Sequence, residues 1–156
     1  MITSIVFDVD DTIYDQQAPY RQAVEKCFPD FDMSRINQAY IRFRHYSDVG
    51  FPRVMAGEWT TDYFRFWRCK ETLLEFDYHE IDEATGRHFQ EIYEEELENI
   101  TMLDEMRMTL EFLKEKGVSM GIITNGPTEH QLKKVRKLGL YDYIEPGHVL
   151  VSQATG

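Results

Sequence analysis

Hydrophobic positions along the chain change their period three times. Ser4 to Phe7 (SIVF) is a short apolar run closed by acids, the pattern of a buried strand. From about Pro19 to Glu98 the spacing becomes three-to-four. Tyr20, Val24 and Cys27 share one face, and Ile36, Tyr40 and Phe43 another. Tyr63, Phe66 or Trp67, and Leu74 suggest a third; Ala84, Phe89, Ile92 or Tyr93, and Leu97 a fourth. These spacings predict amphipathic helices packed on one another. Gly50, Pro52 and Gly57 predict a loop over Tyr46 to Trp59.

After residue 100 the pattern alternates. Leu103, Met106, Leu110 and Leu113 keep helical spacing, and Gly117 suits a helix end. Val118 to Thr124 (VSMGIIT) predicts a second buried strand. Thr128 and Gln131 have the spacing of a capping box, and Leu132, Val135 and Leu138 give the next helix its buried face up to Gly139. Val149 to Val151 predicts a third strand. The order predicts an α/β fold: a doubly wound, Rossmann-like parallel sheet core of residues 1–15 and 101–156, with an all-helical domain inserted at 16–100.

Composition narrows the function classes. With 42% hydrophobic and 13% aromatic residues the chain has material for a packed core, which excludes wholesale disorder. No apolar stretch approaches the roughly 20 residues of a membrane span. Two cysteines, Cys27 and Cys69, are too few for a disulfide framework, and Met1 runs into MITSIVFDVDD without a basic leader, so a cytoplasmic protein is expected. The net charge of -11, from 17 basic and 28 acidic residues, argues against nucleic acid and anionic membrane as partners. A phosphorylated ligand would need a local device against that field, such as a metal ion or a nest of backbone N–H groups.

Two segments carry chemistry. Phe7-Asp8-Val9-Asp10-Asp11-Thr12 puts Asp8 and Asp10 just past a strand, at the carboxyl edge where doubly wound sheets bind ligands. A polar turn would use Asp too, but three acids in four residues repel one another unless a cation sits among them. Ile122-Ile123-Thr124-Asn125-Gly126-Pro127 ends a strand in small polar residues before a helix N-terminus, a place where side chains and backbone N–H groups hold phosphate; ordinary capping would explain it equally well if it stood alone.

Together the two segments resemble the haloacid dehalogenase superfamily, most closely its phosphatases. FDVDDT is similar to the first motif, IITNG to the second, and LVSQATG to the lead into the third. The helical insertion after the first motif is similar to that family's helical cap. The resemblance implies Asp8 as nucleophile toward phosphorus and as a Mg²⁺ ligand. It implies Asp10 as general acid and then base, offering its backbone carbonyl to the metal. Thr124 would hydrogen-bond the transferring phosphoryl group, with Asn125 and Gly126 shaping that loop, and Thr12 would orient Asp10 and fix the turn. A second acid two residues on favours phosphate esters over carbon–halogen bonds. The implied substrate is a small phosphorylated metabolite, such as a nucleotide or sugar phosphate.

The resemblance also calls for a lysine a few residues beyond LVSQATG and for metal-binding acids after it; neither occurs in the sequence through Gly156. The core is therefore expected to be incomplete at its C-terminal side and the chain to be slow or inactive by itself. The first strand is expected to be left as an uncovered edge, prone to self-association. Lys133, Lys134 and Lys137 read as a solvated helix face, and Phe51 and Trp59 as packing residues beside Arg53. A phosphomutase of the same fold, or an inert remnant acting as a binding module, are the alternative readings.

Overall fold

The computed structural model describes residues 2–152; the end of the LVSQATG segment, from Gln153, lies outside them. Strand β1 is Ser4–Phe7, and helices α1 (Ala18–Cys27), α2 (Ile36–Met55), α3 (Thr61–Glu75) and α4 (Glu83–Glu98) follow it. Then come α5 (Asp104–Glu115), β2 (Ser119–Thr124), α6 (Thr128–Lys137) and β3 (Val149–Val151). The strands form one parallel sheet in the order β1-β2-β3, with Phe7 opposite Ile122 and Thr124 opposite Val151. This is the α/β fold that the pattern predicts, each strand falling within or on its expected segment.

The chain divides into two compact units: Met1–Gln16 with Ile100–Gly156, and Gln17–Asn99. The first has an aliphatic core in which Val9, Ile13, Leu110, Ile122, Val135 and Leu140 are fully buried. Alternation along the strands sends Val6, Ile123 and Leu150 to the opposite sheet face, where they are 55%, 56% and 49% exposed. Among the described residues β1 stands at one edge of the sheet. Gly117 and Gly139 end α5 and α6 with φ of +69° and +68°, the left-handed conformation glycine adopts without a Cβ penalty.

The second unit has an aromatic core. Tyr20, Phe28, Phe43 and Phe89 are buried together, with the Tyr20 and Phe43 ring centroids 4.7 Å apart. Thr60 and Asp82 cap α3 and α4 by accepting hydrogen bonds from the N–H groups of Tyr63 and Thr85. Helix α2 corrects the predicted loop: it runs through Gly50 and Pro52 to Met55. Gly50 is a packing residue, for a Cβ there would stand 2.6 Å from the Phe64 ring. Pro52 opens the last turn of the helix, where its missing N–H removes a single hydrogen bond.

Two buried faces also differ from expectation. In α3 it is Phe64, Cys69, Thr72 and Leu73 that are buried, while Tyr63 and Leu74 are exposed and Phe66 and Trp67 half-buried. In α4 the face is that of Phe89 and Tyr93, with Ala84 outside it. In α5 the predicted spacing holds: Leu110 is fully buried, and Met106 and Leu113 pack half-buried against the same core. The predicted inward packing of the former loop holds for Trp59, which sits 4.9 Å from Trp67 and 4.8 Å below the Arg53 guanidinium, but Phe51 is 52% exposed. No helix among the described residues is long and apolar enough to cross a membrane.

Candidate active site

The parallel register brings the end of β1 alongside the end of β2, so Asp8 and Thr124 share the carboxyl edge of the sheet. Asp8 is exposed. Its Oδ1 accepts from the Val9 N–H at 2.8 Å, and its other oxygen has no hydrogen-bond partner among the described residues. Past it the chain makes one tight turn, closed by the Thr12 and Ile13 N–H groups on the Val9 carbonyl at 3.3 and 3.0 Å. Asp11 takes a φ of +53° there, a conformation Asp tolerates better than most residues. Its carboxylate faces away and accepts from the Gln16 N–H at 3.0 Å.

Asp10 is held on three sides. Its Oδ1 accepts from Lys134 Nζ at 2.6 Å and from the Tyr14 hydroxyl at 2.7 Å, and its Oδ2 from Gln131 Nε2 at 3.2 Å. Burial, the largest single influence, pushes the Asp10 carboxyl up. Lys134, Tyr14 and Gln131 together outweigh it and hold the group below its ordinary value of 3.8. Neighbouring His130 is pushed below its usual range by burial and by Lys134, with Asp10 acting against them. Thr12 is not among the Asp10 partners; its contribution is the backbone bond that closes the turn, so the expectation that it orients Asp10 is corrected.

Lys134 corrects a second expectation. It is no solvated lysine: its side chain is 9% exposed and ion-paired to Asp10. The signal was present in the sequence. Gln131, Lys134, Val135 and Leu138 stand at i, i+3, i+4 and i+7, the stripe that α6 buries. Gln131 likewise does not close a capping box. Helix α6 starts after Pro127, which gives no side-chain cap, and Gln131 turns to Asp10 and to the Asn125 carbonyl at 2.9 Å.

The second loop is built around Gly126. Its φ is +136°, and a Cβ would meet Gln131 Nε2 at 2.9 Å, so only glycine fits. Its N–H lies 3.3 Å from Ser152 Oγ, and that hydroxyl also bonds Asn125 Oδ1. Thr124 is buried, and its hydroxyl has no partner among the described residues. A buried hydroxyl without a partner at the end of a strand is an unused hydrogen-bond donor close to the carboxyl edge that also carries Asp8. The structure thus brings Asp8, Asp10, Thr12, Thr124, Asn125 and Gly126 to one edge, and adds Tyr14, Gln131, Lys134 and Ser152.

Among the described residues no group of three or more His, Cys, Asp or Glu side chains could hold a metal ion. The expected convergence of three acids on a cation is therefore corrected: Asp11 turns to Gln16 and the Asp10 carboxylate to Lys134. The open oxygen of Asp8 and the backbone carbonyl of Asp10 are the oxygen donors that the family resemblance assigns to the metal. Such a pair suits Mg²⁺, which takes one or two carboxylates and keeps several waters.

Comparison with known proteins identifies the family. The haloacid dehalogenase-like hydrolase family matches residues 2–152. A ribulose-1,5-bisphosphate 5-phosphatase of Halopiger xanaduensis is 30% identical across the whole of this chain, which covers 65% of that protein. The putative HAD-hydrolase YfnB of Bacillus subtilis, solved bound to magnesium, is 25% identical with a TM-score of 0.55 over 99% of this chain and 65% of its own. An L-2-haloacid dehalogenase of Xanthobacter autotrophicus shares the fold at 20% identity, with a TM-score of 0.57 over 99% of this chain and 58% of its own. This chain spans less than two thirds of the length of these relatives. By motif, fold and family match, the chain belongs to the haloacid dehalogenase-like hydrolases.

Proposed function

We propose that the carboxyl edge of β1 and β2 is the nucleophile side of a phosphatase site acting on a small phosphomonoester, a class that includes nucleotides and sugar phosphates. The observation that carries the reading is that the open oxygen of Asp8 and the buried, unpartnered hydroxyl of Thr124 stand at the same carboxyl edge of two paired strands. The phosphatase named among the relatives supports the same reaction type, and Asp10 favours an ester over a carbon–halogen substrate.

Asp8 attacks phosphorus, the phosphorus–oxygen bond to the alcohol breaks, and an aspartyl-phosphate forms on Asp8. Water then attacks that phosphorus, releasing phosphate and restoring the carboxylate. Splitting the hydrolysis in two replaces one hard displacement by two easier ones. Thr124 donates to the phosphoryl oxygens, and the Gly126 loop shapes their seat. Asp10 gives a proton to the leaving oxygen and later takes one from water. Its ionised resting form suits the second step. For the first step it must take up a proton, which the negative charge of an arriving phosphate favours. Mg²⁺ at Asp8 and the Asp10 carbonyl would offset the repulsion between two anions.

The lysine and further acids that the family resemblance calls for are not among these residues. The direct test uses a donor whose leaving group needs no proton. Incubation with Mg²⁺ and acetyl phosphate, followed by peptide mass spectrometry, should find a phosphoryl group on Asp8. Asp8→Asn should abolish it, and Asp10→Asn should let it form but persist longer. Phosphorylation elsewhere, or none, sinks the reading.

A further inference from the structure

Helical unit Gln17–Asn99 holds a half-buried cation that has no carboxylate partner among the described residues. Arg68, on α3, donates from Nη1 to Ser47 Oγ at 3.0 Å and from Nη2 to Gln90 Oε1 at 2.9 Å. Its Nε is buried without a partner. Rings pack around the guanidinium, with Phe43 at 4.4 Å and Phe64 at 5.1 Å from its carbon. Among the described residues no carboxylate pairs with it, and Arg65 and Arg44 add like charge around it. Burial pulls its pKa down from the usual value, the direction expected when a charge leaves water without compensation.

Taking a guanidinium out of water without an anion is unfavourable in general. Cation–π contacts offset part of such a cost. They do not use the N–H hydrogens of the guanidinium edge. Of its five donors, two are taken by Ser47 and Gln90, which leaves the Nε–H and one on each terminal nitrogen. A fork of that kind matches the paired oxygens of a carboxylate or phosphate.

Arg68 also lines a cavity of about 320 Å³. Its walls are aromatic, from Phe43, Phe51, Phe64 and Tyr93, and Arg44 stands at it as a second cation against a single acid, Asp48. Phe51, the residue that the sequence placed inside and the structure leaves 52% exposed, is part of this wall. The volume falls in the range of small-molecule pockets. A basic, aromatic pocket on a chain of net charge -11 is a local reversal of the overall field.

We propose that this pocket binds an organic oxyanion, a carboxylate or phosphate on a planar apolar body, with its oxygens on the Arg68 fork and its body against the aromatic wall. The site is formed wholly by the helical unit, and its occupancy does not depend on the phosphatase reading.

Binding is measured on the whole 156-residue chain by NMR of the arginine Nε–H groups, with benzoate and phenyl phosphate as probes and benzyl alcohol as the neutral control. Expected is a saturable shift of the Arg68 signal by both anions, with Kd about 1 mM or tighter, and none by the alcohol. Phe51→Ala, at an exposed position, should weaken both anions about tenfold or more. Arg68→Lys, which keeps the charge and loses the fork, should weaken them further. No saturable shift, or equal response to benzyl alcohol, overturns the proposal. So does a wild-type affinity in Phe51→Ala, which holds whether or not the Arg68 variant folds.

Discussion

The two units solve the same problem, a cation inside a fold, in opposite ways. In the α/β unit Lys134 is buried against Asp10, with Tyr14 and Gln131 completing the carboxylate's hydrogen bonds. In the helical unit Arg68 is wrapped in rings and given two neutral acceptors, and no carboxylate. Their surroundings match the difference. The α/β core is mostly aliphatic and offers Lys134 one ring, Tyr14 at 5.8 Å, beside its counter-charge, whereas the helical core is aromatic and surrounds Arg68 with ring faces. A cation satisfied from within organises the site around it. One left short of an anion is set up to accept one.

The strongest way to break the comparison is to remove the satisfied cation. Lys134→Met leaves Asp10 largely buried with its main charge partner gone, and should destabilise the α/β unit by about 2–3 kcal/mol, somewhat less than a fully buried pair because Asp10 keeps some contact with water. Hydrogen exchange resolved by peptide should show the loss in β1, β2 and α6 and leave α1–α4 unchanged. Equal loosening of both units would mean that the pair is not local to one of them.

Packing in the helical unit should be the next most sensitive feature. Gly50→Ala puts a methyl group 2.6 Å from the Phe64 ring, beside the Arg68 pocket. Overpacking of this kind costs about 1–3 kcal/mol, and the better helix propensity of alanine returns about 1 of it. Thermal melts followed by circular dichroism should show a lower Tm. A raised Tm would mean that Phe64 yields freely and that α2 and α3 are loosely packed.

Acid should separate the units further. The Asp10 carboxyl lies below its ordinary 3.8 in the folded chain, so its contribution is present in full above that value. It is lost as pH falls from there through the lowered value. Asp10→Asn should flatten the acid side of the α/β unit's stability curve while leaving that of the helical unit, where Asp32, Asp82 and Glu75 are lowered by their own hydrogen bonds, unchanged. An unaltered acid limb in Asp10→Asn would show that the pair with Lys134 does not persist in solution.

The smallest effect concerns the bare sheet face. Val6→Lys, on edge strand β1, should change stability by about 0.5 kcal/mol or less. It should lower any self-association seen in sedimentation, since a charge on an exposed edge opposes strand pairing. No change in association would clear β1 of that role.

How much of this was legible in the sequence differs between the units for a physical reason. Strands β1, β2 and β3 were readable because short apolar runs ended by Asp8, Asn125 and Ser152 leave few alternatives. The ends of α5 and α6 were readable because Gly117 and Gly139 supply a conformation that other residues resist. The loop predicted over Tyr46 to Trp59 failed because glycine and proline are ambiguous. Gly50 serves close packing on Phe64, and Pro52 sits where a helix can lose one hydrogen bond. The α3 face failed because so many of its residues are apolar that spacing alone selects no single stripe.

At the candidate site the sequence by itself determined the chemistry: Asp8 and Asp10 past one strand, Thr124, Asn125 and Gly126 past another. Local order is enough for that, because strand ends in a parallel sheet converge on one edge. Tertiary structure alone decided which acids face what. Asp11 turned to Gln16, and Asp10 met Lys134 across 124 positions of chain, where burial and charge favour the pair over water. It also decided that Arg68 would lie among rings without an acid, since the meeting of α2, α3 and α4 depends on packing that no local spacing records.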